Sequence, residues 1–458
     1  MTAAFTHSRD SGPPPQARPQ YLIAGLRVAA DDPALQTCLA SVYRDRGEAD
    51  RPRCLCTQAG AEMYISRIAG VFHLKRMPGH GADHAGSCQS YEPPANLSGL
   101  GQVLGAAIQE DPLEGTTSLR LGFSLARVSR RQPAPSEASI DDSASTSGAR
   151  LSLRGLLHYL WEEAGFNRWS PAMHGKRSWP VLRRYLLAAV ERKHCRGAPL
   201  IESLYIPEAW DEARREEIAA RRRALFLNVA SVRKGARKLM LLLGEVRLIE
   251  PARYGHRLVV KHAPDVEFGL DEALSKTLQR RFETELLTWD AQRAVRDRAG
   301  HLIVFGTFSV GPSGRPAMEE LVLMSTSRNW IPIDDAFDAE LIERLTAAGY
   351  RFNRCLRYNL PAARPLACAI VPDADPEPTA LYVVRPGVGE TYDRLLDEVT
   401  RASGMVSWIW RAGDGALPDL PRQAGRAPSP PRPVQARQPQ TPDVGFDPFA
   451  ASDRAGAA

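Results

Sequence analysis

Four side chains of the kinds that bind zinc lie in two close pairs in the N-terminal part of the sequence. Cys54 and Cys56 have one residue between them, and His84 and Cys88 have three. Thiolates and imidazoles in two tight pairs are typical of a tetrahedral zinc site in a small domain. Because four protein ligands leave no coordination position open for water, the pattern predicts a structural zinc ion rather than a catalytic one.

Two alternatives to this ligand set stay open at the level of the sequence. His80 lies four residues before His84 and is the best substitute if His84 is not the fourth ligand. The spacing C-x-C is also less diagnostic of a metal site than C-x2-C, so these residues can instead be ordinary reduced cysteines beside a loop.

The segment between the two pairs predicts a β-hairpin. Residues 61–68 and 71–77 are rich in apolar side chains and are joined by Ala69-Gly70, which suits a turn. Such a hairpin brings both ligand pairs to the same end. We therefore expect a zinc-ribbon-like β module inside a first domain over residues 21–130.

The composition is that of a globular protein. Of 458 residues, 43% are hydrophobic and 24% are charged, which is ordinary for soluble proteins. No apolar run approaches the roughly 20 residues that span a bilayer, and the first residues lack the pattern of a secretory signal. Seven cysteines without the spacing of a disulfide framework fit a reducing compartment. We expect a cytoplasmic protein with no membrane partner.

Residues 150–237 are basic and have helical periodicity. Between Ala149 and Met240 the sequence has 19 Lys or Arg and nine Asp or Glu. Amphipathic helices are predicted after Ser152 and over residues 178–193 and 208–227, and their basic faces favour nucleic-acid binding. The alternative is a helical connector with solvated charges. The candidate nucleic-acid-binding residues are Arg183, Arg184, Arg221, Arg222 and Arg223.

Arginine dominates the basic residues of the whole chain. Of the 59 Lys and Arg residues, 52 are Arg. The guanidinium group binds phosphate oxygens in a bidentate manner. The same ratio also follows from a GC-rich genome, so only the clustering of the charges argues for a nucleic-acid partner.

From Lys238 onward the pattern predicts a C-terminal α/β domain, residues 238–415, in a multidomain α+β chain. Residues 335–411 predict the order α-β-β-β-α-β, which is the order of the core in PD-(D/E)XK nucleases. Those enzymes hold Mg²⁺ with an acid at the end of the second strand and an acid-x-lysine on the third. Asp373 stands where the first acid belongs.

The rest of that nuclease motif is missing. Residues 381–384 form the predicted third strand and contain neither an acid nor a lysine. Only Arg357 or Arg385 can replace the charge of the lysine. A degenerate nuclease-like domain that binds without cutting is therefore favoured over an intact metal-dependent nuclease, and the fold likeness is an analogy.

Other catalytic motifs are also missing from the sequence. It contains no P-loop, no G-x-S-x-G elbow and no H-E-x-x-H. We therefore expect no nucleotide cofactor, and Asp373 is the single catalytic candidate.

Three segments are predicted to lie outside folded domains. Residues 1–20 and 416–458 are rich in Pro and small residues and predict disorder, and residues 131–149 predict a flexible linker. The Pro- and Arg-rich C-terminal tail can recruit a protein partner. A protein-interaction scaffold is therefore a further alternative for the function.

Several motifs together resemble the bacterial domain-of-unknown-function family 1173. They are the C-x-C, the strands MYI and HLKRMP, the H-x3-C-x2-Y-E-P that ends at Pro93, and LRYNLP and WIWRAGDG near the C-terminus. The three N-terminal cysteines of that family match Cys54, Cys56 and Cys88. The resemblance covers most of residues 21–421. It implies a setting on integrating conjugative elements and plasmids, and it implies no mechanism.

The residues and the resemblance favour one function over two others. The leading hypothesis is a non-catalytic, zinc-binding protein of a mobile element that associates with nucleic acid. The alternatives are a divergent PD-(D/E)XK-like nuclease that uses Asp373 and a scaffold that binds a protein through its tail.

Overall fold

An N-terminal sheet contains the predicted hairpin. The computed structural model describes residues 19–45, 51–68, 71–77, 79–86, 88, 90–111, 115–127, 148–230, 237–294 and 300–423. Five strands lie in the order β2-β1-β3-β4-β5. They are β1 (Gln20–Ile23), β2 (Leu26–Ala29), β3 (Arg53–Cys54), β4 (Ala61–Ile68) and β5 (Val71–Arg76). The hairpin prediction is confirmed, because β4 and β5 pair antiparallel. Helix α1 (Leu35–Asp45) packs Leu39 against this sheet.

Two small sheets join the N-terminal part of the chain to its middle. A four-stranded sheet has the order β11-β10-β7-β6 and a second sheet pairs β8 with β13. Their strands are β6 (Ile108–Asp111), β7 (Thr116–Leu119), β8 (Ala126–Arg127), β10 (Lys193–Cys195), β11 (Ala198–Pro199) and β13 (Arg237–Lys238). The pairings cross the predicted domain boundaries, and the described residues belong to one compact unit. The division into domains stays a prediction.

Short helix α2 (Leu100–Val103) and three longer helices follow in the chain. Helix α3 (Leu153–Glu163) begins as predicted, because the Ser152 hydroxyl accepts a hydrogen bond from the Gly155 amide at 3.0 Å. Helix α4 (Trp179–Val190) lies inside its predicted range. Helix α5 (Arg215–Leu227) is shorter than predicted, since a 3-10 turn over Glu212–Arg214 precedes it.

A seven-stranded sheet forms the centre of the largest hydrophobic core. Six strands follow the order β12-β14-β15-β16-β18-β17, β14 also pairs with β17, and β19 pairs with β18. The strands are β12 (Leu204–Tyr205), β14 (Met240–Pro251), β15 (His256–Val260), β16 (Ala263–Leu270), β17 (His301–Val310), β18 (Pro316–Thr326) and β19 (Pro332–Ile333). Nearly every residue of β17 is buried, which explains why most of its side chains are apolar on both faces.

One predicted long helix is in fact two helices. The sequence predicts a helix over residues 270–291, whereas the structure has α6 (Glu272–Arg281) and α7 (Glu283–Ala294). Phe282 lies between them with φ −116°, outside helical geometry, and its side chain is buried in the main core. Tertiary packing of this ring thus overrides the local helical propensity.

The C-terminal part has the predicted element order. It contains α8 (Ala336–Ala347), β20 (Phe352–Arg354), β21 (Ala367–Val371), β22 (Thr379–Val384), α9 (Glu390–Ser403) and β23 (Val406–Arg411). Their sheet has the order β23-β22-β21-β20-β9, in which β9 (Arg168–Trp169) comes from the basic segment. The mixed α+β class is confirmed. The likeness to a nuclease core stays a prediction.

Among the described residues, no helix is both long enough and apolar enough to cross a membrane. The predicted disorder of the termini and the predicted linker fall almost entirely on residues 1–18, 128–147 and 424–458, which lie outside the described part of the chain.

Candidate metal centre

The first pair of cysteines lies where strand β3 leaves the N-terminal sheet. Cys54 is the last residue of β3 and stands opposite Tyr21 on one side and Ala61 on the other. Its side chain is buried. The chain then turns back through Gly60, whose φ of +70° is readily adopted only without a side chain, and enters β4. Cys56 lies on this turn, so both thiols are held at the open end of the hairpin.

The second pair lies on the segment that follows the hairpin. Strand β5 ends at Arg76, and a 3-10 turn over Gly81–Asp83 then leads to His84 and Cys88. Gly81 packs so closely on the backbone of Glu92 that an added Cβ would lie 2.5 Å from the Cβ of that residue. This close approach folds the segment back and buries the imidazole of His84.

The structure brings the four predicted ligands together. One ligand atom from each of Cys54, Cys56, His84 and Cys88 lies within 4.8 Å of all the others. The Sγ atoms of Cys54 and Cys88 are 3.7 Å apart, and the Nδ1 of His84 lies 3.4 Å from the Sγ of Cys56 and 3.7 Å from that of Cys88. A tetrahedron with Zn–S bonds of about 2.3 Å has edges of about 3.8 Å. The donor set can therefore hold a metal ion.

The thiols are not cross-linked to one another. Cys54, Cys56 and Cys88 are free cysteines, and a separation of 3.7 Å between sulfurs is far longer than the roughly 2.05 Å of a disulfide. Backbone amides of Ala85 and Ser90 each donate to a thiol sulfur at 3.4 Å, to Cys56 and to Cys88. Amide donors of this kind stabilise thiolates, the form in which cysteine binds metals.

Protonation of the three thiols is strongly coupled. The hydrogen bond from Cys54 lowers the pKa of Cys88 to about 3, assisted by His84 and by the Ser90 amide. The pKa of Cys54 is raised in turn, first by this hydrogen bond and then by burial. Burial also raises the pKa of Cys56. Because the close thiols compete for one negative charge, a divalent cation would stabilise them together as thiolates.

The alternative ligand His80 lies outside this group. Its side chain is exposed, and its Nδ1 forms a hydrogen bond with Asp83 at 2.8 Å. The 3-10 turn between the two histidines places His84 inside and His80 outside.

The five candidate nucleic-acid-binding arginines lie on two helices, Arg183 and Arg184 on α4 and the other three on α5. Arg183 donates to the carbonyl of Ile206 at 3.1 Å, and Arg184 is exposed with its guanidinium over the ring of Tyr185. These contacts place the two neighbours in different surroundings on α4.

On α5, two of the three arginines are neutralised by carboxylates. Arg221 pairs with Glu208 and Glu217, and the buried Arg222 pairs with Asp265. Arg223 is exposed. Sequence reasoning counted these charges as available because it could not place their partners in space.

Asp373 lies two residues after the end of β21. Burial raises the pKa of this carboxyl group, and its Oδ1 is buried without a hydrogen-bond partner in the described part of the chain. Strand β22, which follows in the chain, is entirely buried. The two arginines that can replace a catalytic lysine are engaged elsewhere: Arg357 pairs with Asp334 at 3.0 Å, and Arg385 pairs with Asp335.

These arginines belong to a buried ionic cluster that sequence reasoning missed. Its members are Asp334, Asp335, Asp338, Arg354, Arg357 and Arg385. Arg354 is its centre, with an ion pair to Asp334 at 3.2 Å, another to Asp338, and hydrogen bonds to three backbone carbonyls. The sequence did contain a signal for this cluster, because acidic residues at the start of α8 are followed by an arginine in the next strand.

A second polar network, also missed, links the segment after the hairpin to helix α3. Arg168 donates to Glu92 at 2.6 Å, and Tyr358 donates to Glu162 at 2.7 Å. Burial, and next the charge of Glu92, raise the pKa of Glu162 to about 7.

One of three comparisons with known proteins gave a match. Neither the search of curated proteins nor the search of solved structures found one. The model of the family described as "Protein of unknown function (DUF1173)" matches residues 21–413, which include the four candidate ligands and nearly all of the sheets described above. The chain therefore belongs to the DUF1173 family.

Proposed function

We propose that this protein is a non-catalytic nucleic-acid-associated factor whose N-terminal region is stabilised by one structural zinc ion. The observation that carries the metal assignment is the arrangement of three thiols and one imidazole at tetrahedral spacing. Soft thiolate ligands with one imidazole favour zinc over the hard cations Mg²⁺ and Ca²⁺. Four protein ligands complete the shell, which supports a structural role.

The position of the ligands explains what such an ion would stabilise. Few apolar residues support this corner of the fold, since among the described residues the local cluster has only Cys54, Ala61 and Met63 fully buried. The segment after the hairpin nevertheless packs against distant parts of the chain: Gly86 lies against Pro372, and Glu92 pairs with Arg168. A metal ion would hold this segment in place where hydrophobic burial is too small to do so.

Charge supports the nucleic-acid part of the proposal. The sequence has a net charge of +6 and a pI near 9.0, and a basic balance favours association with polyanions. Arg184 and Arg223 are exposed guanidinium groups with no ion pair to any described residue. The setting on conjugative elements and plasmids, which the family resemblance implies, fits such a partner.

Two measurements on the same preparation test this function. We expect the protein to bind labelled DNA in a gel-shift assay, with an affinity that falls steeply as salt increases because bound phosphates release counterions. We also expect chelation to lower the melting temperature and added Zn²⁺ to restore it. Binding no tighter than that of an acidic control protein would contradict the nucleic-acid role. A melting temperature that does not change on chelation would contradict the metal role.

A nuclease that uses Asp373 is the second candidate. The order α8-β20-β21-β22-α9-β23 and the buried carboxyl oxygen of Asp373 favour it, whereas the ion pairs of Arg357 and Arg385 argue against it. Incubation of DNA with Mg²⁺ or Mn²⁺ and either the parent protein or Asp373→Ala decides between the two functions. Cleavage that the substitution abolishes would establish the nuclease.

A further inference from the structure

A cleft with basic and aromatic walls lies beside the candidate metal centre. Its volume is about 680 Å³, within the range of roughly 300–1,000 Å³ that is usual for ligand sites. Its walls come from the segment after the hairpin, the end of α3 with strand β9, helix α4 and strand β20. We name it the basic–aromatic cleft. No aspartate or glutamate is among the described residues that line it.

Five aromatic residues line the cleft. They are Tyr91, Phe166, Trp169, Tyr185 and Phe352. Tyr185 is 47% exposed, and its ring packs edge-on against Phe166 with 6.2 Å between the ring centroids. A tyrosine half exposed in a concave site offers a flat apolar face at low entropic cost, because its neighbour already orients it.

Several cations line the same walls, and three of them have no carboxylate partner in the described part of the chain. Lys176 and Arg184 are exposed. Arg177 is half-buried and donates only to neutral acceptors, which include the carbonyls of Phe166, at 3.1 Å, and Asn329, at 3.0 Å. Burial lowers the pKa of Arg177 to about 10, so it remains charged at neutral pH. The cleft is therefore positive.

Helix α4 presents a cation and an aromatic ring on one face. Val181, Arg184 and Tyr185 line the cleft, whereas Leu182 and Leu186 are buried in the main core. Positions three and four apart share a helix face, so α4 presents a cation and a ring together to the cleft while its apolar face anchors it. Arg183, which bonds to Ile206, is not among the residues that line the cleft.

We propose that the basic–aromatic cleft binds an unpaired strand of nucleic acid, with bases against the rings and phosphates against Lys176, Arg177 and Arg184. This proposal rests on the nucleic-acid role proposed above and assigns it a site. Aromatic side chains stack on exposed base faces. A single strand offers these faces, whereas a duplex keeps them inside its stack. Cations without a carboxylate partner gain most from phosphate contacts, since no existing ion pair must be broken.

The candidate metal centre contributes to one wall of the cleft. Gly86, Cys88 and Tyr91 line it, and the amide of Tyr91 donates to the carbonyl of Cys88 at 3.2 Å. Loss of the metal would release this wall. Binding of a single strand is therefore expected to weaken on chelation.

Fluorescence anisotropy with a labelled oligothymidylate tests the site. With a strand of about 15 nucleotides, Tyr185→Ala should weaken binding about tenfold, and Tyr185→Phe, which keeps the ring, should bind like the parent. The double variant Lys176→Glu/Arg184→Glu should weaken binding by at least about tenfold and reduce its salt dependence. The matched control is Arg280→Glu, an exposed arginine on α6 outside the cleft, and it should change binding far less.

The outcomes separate this inference from the proposed function. If the parent binds oligothymidylate and the cleft variants bind equally well, or Arg280→Glu alone weakens binding, the cleft is not the site although the general role survives. If duplex DNA competes as well as the single strand, or free thymidine monophosphate competes at equal nucleotide concentration, the assignment to an unpaired strand is wrong. If no nucleic acid binds the parent, the proposed function itself fails.

Discussion

Two regions of this protein gather ionisable side chains, and they do so in opposite ways. In the cluster around Arg354, carboxylates surround guanidinium groups, so every charge has a partner of opposite sign. At the candidate metal centre, four groups that share a proton-accepting, metal-binding character face each other within 4.8 Å. The first cluster is complete as it stands. The second would gain stability from a cation, which is why we propose a metal for the second and none for the first.

The metal ligands provide the largest expected effect. Cys88→Ser removes one ligand, and because metal binding is coupled to folding, we expect the free energy of unfolding of the N-terminal region to fall by at least about 3 kcal/mol. Urea denaturation of the zinc-loaded protein measures it. Cys38→Ser is the matched control, since Cys38 is a free, half-buried cysteine of helix α1 outside the cluster. Equal losses of unfolding free energy in Cys88→Ser and Cys38→Ser would contradict a metal ligand at Cys88.

A change in the ionic cluster should be nearly as costly but should leave the metal in place. Asp338→Ala leaves the buried Arg354 with less compensating charge, and breaking a buried pair in this way costs about 3–5 kcal/mol. Denaturation and zinc content are measured together. Asp393→Ala breaks an exposed pair with Arg411 and should cost at most about 1 kcal/mol. Loss of zinc from Asp338→Ala would show that the two regions are not independent.

A smaller effect concerns Glu162 of helix α3, which accepts a hydrogen bond from Tyr358. The pKa of Glu162 is about 7 in the folded protein, above the usual value of about 4.3 in unfolded chains. The folded state therefore binds the proton more tightly, and stability falls as pH rises from about 4.3 to 7. Glu162→Gln should remove this slope and stabilise the protein at pH 8 by roughly 2 kcal/mol. If the stability of the variant and that of the parent change in parallel from pH 5 to 8, the raised pKa of Glu162 is wrong.

Local patterns in the sequence predicted the elements around the metal ligands well. Hairpin β4–β5 and helix α3 follow from alternation, periodicity and a cap, which act over a few residues. The choice between His80 and His84 did not follow, because both spacings suit a ligand. The 3-10 turn over Gly81–Asp83 decides it by burying one imidazole and pairing the other with Asp83.

Long-range pairing is what the sequence could not reveal. Strand β9 has two residues, too few to show alternation, and it exists because Arg168 and Trp169 pair with β20 almost 200 residues later in the chain. The same limit applies to charge. Arg222 was counted as a free cation of the basic segment, whereas it is buried against Asp265 of another element. The basic–aromatic cleft was missed for this reason too, since its walls come from separated parts of the chain.

The zinc content of the purified protein, measured by inductively coupled plasma mass spectrometry, is the sharpest test of a metal at Cys54, Cys56, His84 and Cys88. We expect about one equivalent of zinc per chain in the parent and in Cys38→Ser, and well below one equivalent in Cys88→Ser. A parent protein that carries no stoichiometric metal, and that takes up none when Zn²⁺ is added under reducing conditions, would contradict this expectation.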